Sequence, residues 1–261
     1  ELVRDARPAT APPFVGRRAE RRRLLHVVDR ALAGDGGLAV VLGDAGIGKS
    51  RLLDEIAASA TLRGATVGRA AGSGDDSVNA YAPLLDAVGL ALAAARRELL
   101  ADIVGAIWIR QLDAVAPVAA AAASHGAIPD PVPVDAVDVP VLLEQLLPAM
   151  AVIGPHVILL DDLHRAGSET WTVIERLTPL VERLAIAVVV TARAVEVRRD
   201  RAAWLTITRW DTESVPVIEL PPLDADELSE LVTVTAPDLP AAVIDEVATA
   251  SGGNPLVAIA L

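Results

Sequence analysis

The sequence predicts an α/β fold in which helices flank a central, mainly parallel five-stranded sheet and a small helical lid follows. Short, wholly apolar runs alternate with longer stretches of helical period. A glycine-rich string carrying one lysine joins the first run to the helix after it, and the strand-like runs stop near residue 220. Strands separated by helices of ten or more residues pair in parallel through right-handed crossovers, and such a sheet is covered on both faces.

Taken in order, residues 1–13 hold Pro8, Pro12 and Pro13 without an apolar period and read as an extended lead-in. Over 18–33, Leu24, Val28, Ala31 and Leu32 recur at helical spacing, and Gly34, Gly36 and Gly37 close the segment. Residues 38–42 suit a strand buried on both faces. The turn 43–48 enters a helix through Leu53, Ile56 and Ala57. A strand is expected at 65–70, a helix at 83–97 and a weakly defined helical stretch at 108–123. Pro129, Pro131, Pro133 and Pro140 make 128–140 an exposed loop. Helix follows at 141–152, strand at 157–160, helix at 169–184, strand at 185–190 and a fifth strand at 217–220. Asp224 and Glu227 have capping-box spacing, and helices through Leu231, through 243–247 and from Pro255 make up the lid. The expected organisation is a lead-in over 1–13, an α/β domain over 14–221 and a helical subdomain over 222–261, cut at its C-terminal end. A chain that opens at Glu1 and stops at Leu261 inside a helix is expected to be one domain of a longer protein.

Composition narrows the function. The 261 residues are 52% hydrophobic and 22% charged, enough apolar material for a core of one or two subdomains, and no uncharged stretch approaches the roughly 20 apolar residues of a membrane helix. Without cysteine there is neither a disulfide nor a thiolate metal site, and without a signal peptide the expected compartment is the cytoplasm. A net charge of -12 argues against a broad grip on a nucleic-acid backbone. Arg17, Arg18, Arg21, Arg22 and Arg23 are interrupted by Glu20 and fit a solvated helix face. Trp108, Trp171, Trp204 and Trp210 are far apart and are expected to serve core or subdomain packing.

Lys49 is the single lysine among 23 basic residues, a position where a compact ammonium is kept against a strong preference for arginine. It lies in Gly43-Asp44-Ala45-Gly46-Ile47-Gly48-Lys49-Ser50, which matches G-x-x-x-x-G-K-[ST] in full between a strand and a helix. Such a loop curls backbone N–H groups around phosphates, its lysine reaches the β and γ phosphates, and Ser50 is expected to ligate Mg²⁺. Asp161 and Asp162 end an apolar strand as a Walker B pair. Asp161 is assigned to the magnesium, usually through water, and Asp162 to polarising or orienting the attacking water, although such a pair alone is often a turn or a helix cap. Arg193 directly follows the next strand and should emerge at the same sheet edge, where it can sense the γ-phosphate. His164 either faces that site or serves as a cap or core residue.

Phe14-Val15-Gly16-Arg17 with Glu20, the loop 43–50 continuing into Arg51-Leu52-Leu53, Tyr81-Ala82-Pro83-Leu84, Asp161-Asp162-Leu163-His164, Thr191-Ala192-Arg193 and Gly253-Asn254-Pro255-Leu256 occur in that order. This set resembles the ATPase (NB-ARC/AAA-like) domain of large ATP-binding LuxR-type transcriptional regulators, in the STAND branch of P-loop NTPases. The resemblance runs from about residue 14 to 261. It implies that Val15 and Arg17 lie against adenine, that Arg51 follows the phosphate loop within the binding site, that Pro255 closes over the base and that Arg193 acts as sensor. It also implies ATP/ADP and Mg²⁺ as ligands, a closed form that opens to self-associate, and winged-helix, sensor and DNA-binding domains downstream. Two departures are His164-Arg165-Ala166-Gly167, where relatives commonly have His-Trp-Ala-Asp, and the proline-rich insert.

Three functions compete: a slow nucleotide switch, a fast motor or loader of the origin-recognition kind using Arg198, Arg199 or Arg201 as a finger in a neighbour, and a scaffold without hydrolysis. Asp162 in place of the usual glutamate leans toward the switch. A GTPase lacks its Asn-Lys-x-Asp guanine element here.

Overall fold

In the computed structural model, which describes residues 14–72, 80–94, 97–116, 137–212 and 215–261, three apolar runs are buried along their whole length. These are β1 (Gly37–Leu42), β3 (His156–Asp161) and β4 (Ile186–Ala192), and β2 (Thr66–Ala71) and β5 (Val217–Glu219) complete one sheet. The order is β2-β3-β4-β1-β5 and every pairing is parallel. A strand buried on both faces is apolar along its middle, which is why these segments do not alternate, and the buried His156, Asp161 and Thr191 fall at or near strand ends. Their side chains still alternate in space. Leu38, Val40 and Leu42 point into one layer, and Ala39 and Val41 into the other.

The thinner layer is formed by α1 (Arg18–Leu32) and α2 (Lys49–Leu62). The thicker one contains α3 (Ala82–Ala94), α4 (Arg97–Val104), α5 (Ala106–Val115) and the helices Val139–Ile153, Ser168–Val181, Ala194–Arg199 and Arg201–Thr212. β2 lies so close to α3 that a Cβ on Gly68 would overlap the carbonyl of Ala87. Trp171 and Trp210 are buried against each other, ring centroids 6.3 Å apart. A third, separate core joins Val15 to Leu223, Leu228, Leu231, Val232, Ile244, Ala248 and Ala258 from the helices Ala225–Thr235, Ala241–Ala250 and Pro255–Ala260. The first of these starts on the capping box, with Asp224 Oδ1 accepting the N–H of Glu227 at 2.8 Å.

Some sequence expectations need correction. Pro140 belongs to the helix Val139–Ile153, not to the loop: Asp138 caps that helix, and a proline in the first turn lacks only an N–H that would have no partner there anyway. The helices Ala194–Arg199 and Arg201–Thr212, unassigned from the sequence, fill the crossover from β4 to β5. Trp204 is 37% exposed, with the Arg198 guanidinium 5.4 Å from its ring centroid, so it is not a core residue. The lead-in 1–13, most of the proline-rich stretch and the end of the 108–123 helical stretch lie outside the described residues. No described helix is long and apolar enough to cross a membrane.

His156, fully buried at the start of β3, donates from Nδ1 to the Gly154 carbonyl at 2.7 Å, and its Nε2 has no partner among the described residues. Burial pushes its pKa below the ordinary value, and the Gly154 bond opposes this. The unfolded chain then binds more protons than the folded one, so stability is full above about pH 6.5 and falls as the pH drops below it. Denaturant midpoints are expected to be lower at pH 5.5 than at 7.5, and His156→Gln should reduce that difference. An unchanged difference in the variant would contradict this origin.

Candidate nucleotide-binding site

Parallel pairing in register brings the carboxyl ends of the strands to one edge. Leu42 aligns with Ala192 and Glu219, and Ala71 with Asp161. The chain leaves β1 through the glycine loop, and Gly46 (φ 76°) and Gly48 (φ 101°) take left-handed conformations that side chains disfavour. The loop ends at the N-terminus of α2, where unpaired N–H groups and the helix dipole attract an anion. Lys49 is buried and donates to the carbonyls of Gly43 (3.0 Å) and Asp44 (2.9 Å). Burial pushes its pKa down, and Asp162 opposes this most strongly.

β3 delivers the acidic pair. Asp161 is buried. Its Oδ1 accepts the hydroxyl of Thr191 at 2.6 Å, its Oδ2 accepts Arg69 Nη2 at 2.8 Å, and the hydroxyl of Ser50 also bonds to it. Burial works against the charge on Asp161, but the bonds from Thr191, Arg69 and Ser50 outweigh it and hold the carboxyl below the usual range. Asp162 adopts a left-handed backbone (φ 49°) and its N–H donates to Thr191 Oγ1 at 2.9 Å. Arg193, just past β4, lines the same cleft, and its buried Nε has no hydrogen-bond partner among the described residues. His164 accepts the Arg193 N–H on Nδ1 at 3.3 Å, so it braces the site from behind. Burial lowers its pKa, Arg193 and Lys49 add to the effect, and Asp162, whose Oδ1 lies 3.8 Å from Nδ1, opposes it.

The cleft between loop and C-terminal helices has a volume of about 320 Å³. From the site residues predicted by sequence it gathers Val15, Arg17, Ala45, Gly46, Ile47, Gly48, Lys49, Ser50, Arg51, Asp162, Arg193 and Pro255. Gly43 and Asp44 lie beneath, as the carbonyls that hold Lys49, and Asp161 lies behind Ser50. Arg17 is buried, with Nη2 3.4 Å from the Ile47 carbonyl. Asn254 Nδ2 donates to the Ala45 carbonyl at 2.9 Å and the Leu256 N–H to the Gly46 carbonyl at 3.3 Å, which fastens the last helix to the phosphate loop. Sequence reasoning left Leu223, Leu231 and Ile259 out of the site, since Leu231 and Ile259 fall within expected helices and no motif surrounds Leu223, yet they line its apolar end. Nothing in the spacing pointed to Arg69. The oxygen donors of Ser50 and Asp161 beside a phosphate loop fit Mg²⁺, which prefers one or two carboxylates completed by phosphate oxygens and water.

Sheet order, loop and acidic pair together define a P-loop NTPase fold. The profile of the AAA ATPase domain matches residues 13–191, and the chain belongs to that family. Among solved structures, the ORC2 protein of Aeropyrum pernix, in ADPNP and ADP complexes, is 18% identical with a TM-score of 0.60. That match covers 99% of this chain and 65% of the other, so this chain spans less than two thirds of it. A Walker-type ATPase of Pyrococcus abyssi is 12% identical over 94% of this chain and 67% of its own, with a TM-score of 0.57. A STAND protein with a tetratricopeptide repeat sensor from Pyrococcus horikoshii is 16% identical over 94% of this chain and 29% of its own, with a TM-score of 0.50. At these identities the likeness is one of fold. No curated protein sequence matches the chain.

Replacing Lys49 with alanine removes the buried cation of the loop. Charge-assisted bonds contribute about 1.5–3 kcal/mol each, so ATP affinity is expected to fall on the order of 100-fold, read by equilibrium titration. Unchanged affinity in a folded variant would contradict the assignment of the loop.

Proposed function

We propose that this chain is the ATP- and ADP-binding switch domain of a STAND-type signalling ATPase, of the large LuxR-type transcriptional regulators. The observation that carries the switch is the pair of hydrogen bonds from Asn254 and Leu256 to the phosphate loop, because they make the position of the C-terminal helices sensitive to what the loop holds. The ordered motif set supports the regulator assignment.

In this reading the loop N–H groups and Lys49 bind the phosphates, and Ser50 and Asp161 hold Mg²⁺ beside them. When bound, the ion neutralises charge on the phosphate oxygens. Asp162 orients water. Its side chain is one methylene shorter than the usual glutamate, which fits slow turnover. Arg193, with an unpaired Nε at the cleft, reports the γ-phosphate. Val15, Arg17 and Pro255 meet the base, and Leu223, Leu231 and Ile259 enclose it. Residues 222–261 act as the lid. Its release allows self-association and signals to winged-helix, sensor and DNA-binding domains of the same polypeptide in the cytoplasm. With a net charge of -12, this segment leaves nucleic-acid contact to those domains.

A motor or loader would instead depend on an arginine from a neighbouring copy. Of the candidate fingers, Arg198 and Arg199 make exposed ion pairs with Glu219 at 3.7 Å and Glu196 at 3.3 Å, which contribute little and leave both side chains, like Arg201, within reach of a neighbour.

Two substitutions test the reading. Asp162→Ala is expected to leave ATP affinity within about threefold and to slow turnover at least tenfold, since positioned general-base groups contribute about 10²–10⁴-fold. Asn254→Ala should raise the ADP dissociation rate by roughly tenfold, measured by stopped-flow displacement, for the loss of about one hydrogen bond and its ordering of the lid. An unchanged rate would remove the lid from the mechanism, and turnover that rises steeply with protein concentration would favour the motor.

A further inference from the structure

Asp161, the residue assigned to the magnesium, is already engaged by a cation of the protein. Arg69 sits in β2, beside β3 in the sheet, and donates from Nη2 to Asp161 Oδ2 at 2.8 Å and to the Ser50 carbonyl at 3.3 Å. Its Nη1 bonds the carboxylate of Asp54 on α2. Thr191 and the Ser50 hydroxyl supply further bonds to Asp161, so three donors already converge on this carboxylate before a dication arrives. Asp161 is buried, whereas the Asp54 side chain is half exposed at 49%. Arg69 therefore links an inner carboxylate that serves the metal to an outer one at the rim. A guanidinium can hold both at once, because its donors diverge in a fixed fork.

We propose that Arg69 is the resident counter-cation of the magnesium site. It balances Asp161 when no dication is present, and Mg²⁺ must displace it toward Asp54 in order to load. Nucleotide is then retained without magnesium, and magnesium loading is weak because it opposes a fixed positive charge. This rests on the nucleotide-binding reading above, and it concerns magnesium affinity, not the affinity of the loop for phosphate.

The test is a titration of the whole chain, bound to the fluorescent analogue mant-ADP, with MgCl₂ after treatment with EDTA. Wild type is expected to bind mant-ADP in EDTA. In Arg69→Gln the midpoint for Mg²⁺ should fall about tenfold, because one opposing positive charge is removed from the site. Arg69→Lys keeps the charge but not the fork and should fall between wild type and the glutamine variant, whereas Asp54→Asn removes the alternative partner and should raise the midpoint. A purely structural role would instead weaken mant-ADP binding in EDTA and leave the Mg²⁺ midpoint in place. An unchanged or raised midpoint in Arg69→Gln overturns the proposal, as does an Arg69→Lys variant that behaves like the glutamine one. If Arg69→Gln does not fold, Asp54→Asn decides the matter by the direction of its shift. Failure of wild type to bind mant-ADP with or without Mg²⁺ would overturn the nucleotide reading itself and this inference with it. Normal binding with identical Mg²⁺ midpoints in all variants would overturn this inference alone.

Discussion

The hydroxyl of Thr191, fully buried at the end of β4, donates to Asp161 Oδ1 at 2.6 Å and accepts the N–H of Asp162 at 2.9 Å, and both acidic residues take their positions from it. The contact exists only because β4 lies between β1 and β3, so that the end of β4 is flanked by the glycine loop on one side and the acidic pair on the other. It also makes the left-handed backbone of Asp162 tenable, since a non-glycine residue there needs a local bond to hold it. A buried acceptor stripped of its donor costs about 1–3 kcal/mol, comparable to a sizeable part of a domain's stability, so Thr191 supports the fold and the site together.

The central strands were legible because full burial forces an unbroken apolar run, and 38–42, 157–160 and 185–190 each have one. The loop 43–50 was legible because its glycines and lysine answer to one local chemistry. What could not be read depends on contacts between distant segments. Arg69 has no motif around it, and its role comes from β2 pairing with β3, so that residues 92 apart meet. Leu231 and Ile259 have the period of packed helices and line the cleft only because the last helices fold back over the loop. The helix Ala194–Arg199 has only six residues, too few for a period to register, whereas Arg201–Thr212 buries Ala203, Thr206, Ile207 and Trp210 at helical spacing and was open to reading. For His164 two roles were open, and the bond to Arg193 settles its place behind the site.

The lid is held to the loop lightly. Two neutral hydrogen bonds contribute roughly 2 kcal/mol together, less where they are exposed to water, and the C-terminal helices share their apolar core with Val15. Leu256 and Ile259 stay 62% and 45% exposed at the cleft, apolar surface that a bound base would cover under the proposed function. Fully burying such a side chain contributes about 1.5–3 kcal/mol. Under the proposed function, a ligand touching the loop and these helices together has differential affinity for the closed form, which is what a population shift requires. The balance of small terms suits a switch more than a fixed scaffold.

The most direct measurement is the nucleotide content of freshly purified protein, released by denaturation and quantified by ion-exchange chromatography. Near-stoichiometric ADP is expected if the lid contacts close the cleft over a resting nucleotide. An empty protein that binds ATP weakly and reversibly would contradict a closed resting switch.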